Sequence, residues 1–287
     1  MEKAMRRTRA LLPRRYALAL LLAFLPLLSL VFAQNPGGGF NERDVKQQAN
    51  GEDKDGIWVL DFHFKDPRVV TVDDPVRGRR LVWYLWYQVA NTINGNPGRK
   101  EQTFVPKFVW VSHDTDASCS DQILIKGQEE ISKLEDRQKI LDIKNSVTIS
   151  KNAIPFSEEF DDKGERKAWP KMVTGVAMWT LATPDEVKDG KAKPEDINPK
   201  FTNFSIYVYG LSDGWTKVDG PDGKPIIRRK TLQLKFKRLG DEFNQNAGQI
   251  RFLGSEWLYA TSDPVSEENP KMPEEKKPEE KKPEAKK

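Results

Sequence analysis

The segment Leu81–Asn91, LVWYLWYQVAN, constrains this chain more than any other. Read with a period of two, it puts Leu81, Trp83, Leu85, Tyr87 and Val89 on one face. Val82, Tyr84, Trp86, Gln88 and Ala90 fall on the other. Both faces are largely apolar, so the strand needs cover on both sides and belongs at the centre of a sheet.

The rest of the middle region supplies strands to surround it. Ile57–Phe64 alternates, with Trp58, Leu60, Phe62 and Phe64 on one side and Ile57, Val59, Asp61 and His63 on the other. Further strands are predicted at Val69–Val72, Phe104–Ser112, Ser146–Ser150, Met172–Leu181, Asn203–Gly210, Lys230–Arg238 and Glu256–Thr261. In Thr231–Lys237, Leu232, Leu234 and Phe236 point inward and Gln233, Lys235 and Lys237 outward. Turn clusters separate these runs: Asp73-Asp74-Pro75, Asn94–Gly98 and Asp219–Pro225. One helix is expected at Gln128–Leu141, where Ile131, Leu134 and Leu141 share a side and Glu129–Lys133 and Glu135–Lys139 are acid-first pairs. Many short strands and one helix predict an all-β fold, an antiparallel β-sandwich of Ig-like or jelly-roll-like type with one inserted helix, over residues 57–263.

The ends read differently. Lys3, Arg6, Arg7, Arg9, Arg14 and Arg15 precede an apolar run from Ala17 to Phe32, and Val31 and Ala33 suit a cleavage site. The run holds 16 residues, short of the roughly 17–25 of a spanning helix. Residues 1–33 are therefore expected to be a cleaved export signal that leaves no stable membrane span. Residues 34–56, rich in Gly, Asn and charge, read as a flexible lead-in. Residues 264–287 repeat PEEKK with almost no apolar side chains and read as a disordered, charge-balanced tail. The formal charge of +4 arises in the leader, which carries six basic residues and one acid. The remainder holds 41 basic and 42 acidic residues, so nothing points to nucleic acid.

The blocks WYLWYQV (Trp83–Val89), LDIKNSVTIS (Leu141–Ser150) and VTGVAMWT (Val173–Thr180) resemble those of an uncharacterised family of exported bacterial β-sandwich proteins. The resemblance runs from about Gly56 to Thr261 and implies export and a shared domain. That family has no assigned activity, so no site residue is carried over.

The chemistry is bounded by what is scarce. One cysteine, Cys119, and two histidines, His63 and His113, exclude a disulfide framework, a cysteine-rich metal site and a three-histidine metal site. No G-x-S-x-G elbow or phosphate-binding glycine loop occurs. His63, between Phe62 and Phe64, reads as a solvent-facing or hydrogen-bonded sheet residue. The metal candidates are His113, Asp114, Asp116 and Asp121, whose spacing would partly meet the needs of calcium; the competing reading is an Asp-rich turn whose side chains cap backbone groups. Asp61, Glu158, Glu159 and Asp241 are carboxylates with no feature to single one out. All eight tryptophans lie beyond the leader. Trp215, in a loop, and Trp86 and Tyr84, on the central strand, are the candidates for stacking on a sugar ring, against the alternative that such aromatics are core. The clusters Arg77, Arg79, Arg80 and Arg228-Arg229-Lys230 read as charge guarding hydrophobic strands.

These features favour an exported, non-enzymatic β-sandwich of the periplasm or cell envelope. Its role is binding or structural, its partner an envelope polymer or protein, and no cofactor is expected, calcium at the candidate loop being the alternative. A carbohydrate-binding module and a metal-assisted hydrolase are the alternatives.

Overall fold

The computed structural model describes residues 42–158, 170–220, 223–239, 250–262 and 264. The expected export signal, and the charged tail beyond residue 264, lie outside the described residues, as do Glu159, Trp169 and Asp241. Among the described residues, no helix is long and apolar enough to cross a membrane.

The predicted central strand is the hub of the first sheet. This strand, β4 (Gly78–Ala90), pairs along one edge with β7 (Val173–Thr180). Along its other edge it pairs with β2 (Asp61–Lys65) near its end and β3 (Arg68–Asp74) near its start. Strands β2 and β3 are thus two halves of one line, broken at Asp66-Pro67, where proline offers no N–H to a ladder. Strand β1 (Glu42–Val45) adds antiparallel to β2 and completes five strands.

The second sheet has six antiparallel strands: β11 (Ile250–Ala260), β10 (Pro225–Arg238), β8 (Asn203–Tyr209), β5 (Lys107–Ser112) and β6 (Ala117–Ser120) in order, with β9 (Trp215–Asp219) also on β10. The two sheets enclose the expected β-sandwich core. From the first come Phe62, Phe64, Trp83, Leu85, Tyr87 and Trp179, and from the second Phe108, Trp110, Phe204, Ile206, Leu234 and Phe236. Aromatic rings run through it: Trp110 stacks on Phe204 with centroids 3.9 Å apart, and Phe204 on Phe236 at 5.2 Å. Trp83 and Trp179 reach Trp110 from the opposite sheet at 5.8 and 5.6 Å. Aromatic contacts of this kind add directional preference to the burial of large areas.

The outer face of β4 is covered as its composition requires. Helix α1 (Ile125–Glu135) lays Ile131 on Val70, Val82, Tyr84, Trp86, Val176 and Met178. The helix starts and ends earlier than the predicted Gln128–Leu141. Asp136 stops it, since its carboxylate accepts the N–H groups of Ile140 and Leu141 at 2.8 and 2.7 Å. Two one-turn helices accompany it, α2 (Ser146–Ile149) and α3 (Pro184–Lys188). The first corrects the strand expected at Ser146–Ser150. Asn145 and Thr148 form a reciprocal capping box that closes a helical turn, and this local bonding overrides the β-branched run. Gln233 also departs from its outward assignment: it is buried and donates to the Tyr207 hydroxyl at 2.7 Å.

The lead-in is corrected from Glu42 onward. Besides β1, residues 46–53 form a strap from the edge of the first sheet to β10 and β11. Trp257 Nε1 donates to the Lys46 carbonyl at 3.1 Å, and Asn50 Nδ2 to the Trp257 carbonyl at 3.3 Å. Lys230, whose side chain is 2% exposed, donates to the Gln48 carbonyl at 3.0 Å and pairs with Asp53. The Tyr259 hydroxyl donates to the same carboxylate at 2.9 Å. Polar contacts of this sort leave no trace in hydrophobic periodicity, so the strap read as linker.

Burial alone would raise the Asp53 carboxyl, but the bonds from Lys230, Asn50 and Tyr259 hold it below its ordinary value of 3.8. The stabilisation is therefore present above that value and is lost as the pH falls through the lower folded one. Asp53→Ala strands the Lys230 ammonium in the core, and we expect a loss of about 3 kcal/mol in urea denaturation. The double variant Asp53→Ala/Lys230→Met should lose less, because the uncompensated charge is gone.

Candidate functional site

The outer face of the first sheet is covered only in part. Beyond the reach of α1 a groove of about 1000 Å³ opens over β1, β2 and β4, with the strap as one wall. Strand register dictates its floor. Asp44 lies opposite His63, His63 opposite Gln88, and Gln88 opposite Thr174, giving a polar row across four strands. Two bonds organise the row: the Asp44 carboxylate faces His63 Nδ1, and Gln88 Nε2 donates to Thr174 Oγ1 at 3.0 Å. Among the described residues no protein group bonds His63 Nε2 or Gln88 Oε1. A carboxylate on Nδ1 fixes the ring and leaves Nε2 for a ligand.

A second carboxylate sits beside the row. Asp61 accepts from Gln47 Nε2 at 2.7 Å and from the Thr92 hydroxyl at 2.5 Å. The loop after β4 closes this corner. The Val59 N–H donates to the Gly95 carbonyl at 2.7 Å. A Cβ on Gly95 would overlap the Val59 carbonyl oxygen and the Gln47 amide, so the wall tolerates only glycine there. Lys230 and Asp53, already paired to each other, line the far end, and Pro97, Pro170 and Met172 supply apolar surface.

Trp86 lies where the groove meets the helix-covered part of the face. It lines the groove at 5% exposure, and its indole N–H has no partner. Lys65 places its ammonium 4.2 Å from the Trp86 ring centroid and pairs with Glu135 at 3.1 Å. Arg68 and the Tyr84 hydroxyl reach the other Glu135 oxygen at 2.6 and 2.8 Å. This nearly buried carboxylate thus pins the end of α1 to the sheet.

The expected stacking residues are not brought together. Tyr84 and Trp86 are buried, at 3% and 5% exposure, because α1 covers their face, so neither offers a flat ring to a sugar. Trp215 is exposed, as expected, but on strand β9 instead of a loop, and the Lys54 ammonium sits 3.9 Å above its ring. That cation covers one face of the indole.

The expected metal loop is a β5–β6 hairpin whose side chains bond to the protein. His113 Nε2 meets the Ser205 hydroxyl at 2.8 Å. Asp114 accepts the N–H groups of Thr202 and Asn203. Asp116 occupies the tight turn at φ +50°. Asp121 is bonded to the Phe108 N–H at 3.2 Å and to the Ser146 hydroxyl, and burial raises its carboxyl above the ordinary range. These four residues do not form a ligand set, and among the described residues no three histidine, cysteine or acidic side chains converge as one. The Asp-rich-turn reading is the one that fits, with calcium losing its candidate loop.

The basic clusters are also largely occupied. Arg77 holds Asp196 at 2.5 Å, Arg80 holds Glu186 at 2.5 Å, and Lys230 holds Asp53. His63 is the hydrogen-bonded sheet residue the sequence suggested, yet its place in a polar row was missed. The usable signal was Gln88, the one polar side chain in the apolar and aromatic run Leu81–Ala90.

No family model, curated protein or solved structure matches this chain.

Cys119, on β6, is buried in the core between the sheets, and its Sγ lies 3.5 Å from the Asp196 carbonyl. Burial, then Asp196 and Glu195, push its thiol up to about 11. The thiolate is the reactive form. Iodoacetamide at pH 8 should therefore leave the folded protein unlabelled over the time in which the denatured chain reacts fully, as mass spectrometry would report.

Proposed function

We propose that the protein is an exported β-sandwich of the cell envelope with a non-catalytic binding role, and that its ligand occupies the groove over β1, β2 and β4. One observation carries the reading. On a sheet face otherwise sealed by a helix, the polar side chains of Asp44, His63 and Gln88 on three paired strands stay open, with His63 Nε2 and Gln88 Oε1 unspent. Groups held by paired strands are preorganised, so a ligand gains its contacts at small ordering cost. The basic, apolar leader and the resemblance to exported proteins support the location.

The groove contains a carboxylate-oriented histidine, yet no serine, threonine or cysteine among its lining residues. A side-chain nucleophile for such a histidine to activate is missing from that set. Binding is the reading that uses every group present.

Two measurements test it. Fractionation of cells producing the full chain should recover the shortened, mature form outside the cytoplasm. The purified mature protein should co-sediment with isolated envelope material, and the variant His63→Ala/Gln88→Ala should lose at least about tenfold in apparent affinity. Far-UV circular dichroism and the melting temperature would establish that this variant is folded. A cytoplasmic full-length chain, or sedimentation indifferent to both substitutions, would overturn the proposal.

A further inference from the structure

Resting on that reading of the groove, we infer that its ligand is a neutral, hydroxyl-rich chain: an oligosaccharide longer than one ring, held edge-on by side chains and not stacked on an aromatic platform.

Charge comes first. The cations nearest the floor are already committed. Lys230 belongs to Asp53, and Lys65 to Glu135 at 3.1 Å and Glu42 at 3.5 Å. Among the described residues lining the groove, Lys46 is the one cation that stands exposed, against the carboxylates of Asp44 and Asp61. An anionic polymer would meet carboxylates with little to offset them.

Hydrogen-bond inventory comes next. The open groups are mostly acceptors: the Asp44 carboxylate, 75% exposed, the Gln88 carbonyl and the imidazole Nε2 of His63. Asp61 adds a carboxylate already oriented by two donors. A ligand rich in hydroxyls suits this set, because each hydroxyl donates one bond and can still accept another, as from the remaining Gln88 N–H. Such planar acceptors on fixed strands reward a ligand whose own donors are rigidly spaced.

An extended peptide would have to bind by another route. Peptides add to sheets by pairing with an edge. The floor here is the face of a sheet, and the backbones of β2, β4 and β7 are already paired in ladders. Main-chain recognition across β2, β4 and β7 is therefore closed, and a peptide would have to pair with the edge strand β1 instead. The apolar parts of the wall, Met172 at 38% exposure with Pro97 and Pro170, suit the C–H surface of a sugar ring. A volume of about 1000 Å³ stands at the top of the range for small-ligand sites and has room for several linked rings.

The test is isothermal titration calorimetry of the mature protein with neutral oligosaccharides of several units, in β-1,4-glucose, α-1,4-glucose and β-1,4-N-acetylglucosamine series. A lysine-rich peptide and an oligouronate serve as comparators. At least one neutral series should bind. Its affinity should fall about tenfold or more in Gln88→Ala and in His63→Ala, and should be unchanged in Trp215→Ala. Tighter binding of the peptide or the oligouronate would overturn the inference, as would neutral-sugar binding lost in Trp215→Ala and kept in Gln88→Ala. If no neutral sugar binds while envelope co-sedimentation remains sensitive to Gln88, the groove remains the binding site and the ligand class is wrong. If co-sedimentation is also insensitive, the binding role itself falls.

Discussion

The structure depends on a strand that must bury both of its faces. β4 pairs with three other strands, and its inner side chains Trp83, Leu85, Tyr87 and Val89 are fully buried between the sheets. Its outer side chains Val82, Tyr84 and Trp86 are almost as apolar, and among the described residues no second sheet lies on that side. Helix α1 and the segment around Ile143 exist in this arrangement because that face needs cover. The cover stops after Trp86, where Gln88 turns the face polar. The location of the groove is therefore fixed by the point at which one strand changes character.

Charged residues then fix the pieces that apolar packing alone would leave loosely placed. Glu135 draws Lys65, Arg68 and the Tyr84 hydroxyl to the end of α1. Arg77 and Arg80 draw Glu186 and Asp196, tying α3 and the loop beyond it to the turn before β4. Hydrogen bonds from Arg80, and then from Thr183 and Arg77, outweigh burial and hold the Glu186 carboxyl well below its ordinary range. Lys230 and Asp53 secure the strap. Buried pairs of this kind add little net stability over apolar residues of the same size, but removing one partner is costly, so they select one placement.

The fold was legible where apolar residues carry the signal. The faces of β4 and β2, and the inward Leu232, Leu234 and Phe236 of β10, follow from periodicity because burial decides them. Reading failed where polar groups decide. Asn145 and Thr148 form a helical turn in a segment that looks like a strand, and the strap is held by carbonyls, an indole N–H and a buried ion pair in a segment that looks like linker. The candidate site failed for a related reason. Period-two patterning shows which aromatic residues share a face but not what lies over it: α1 buries Tyr84 and Trp86, and Lys54 sits on Trp215. The polar row needs the register of four strands: Asp44 is 19 residues from His63, and Gln88 is 86 from Thr174. Nothing local in the sequence marks residues so far apart as neighbours.

The polar row also accounts for why the groove remains open. An apolar hollow of that size on a sheet would favour closure by α1 or by the loop after β4, since each would bury more hydrocarbon. Closure over His63, Asp61 and Gln88 would instead strip water from a carboxylate, an imidazole and an amide without supplying partners for all of them. The Gln47 amide of the strap is already shared between Asp61 and the Val59 carbonyl. The same groups that we propose hold a hydroxyl-rich ligand thus oppose self-closure.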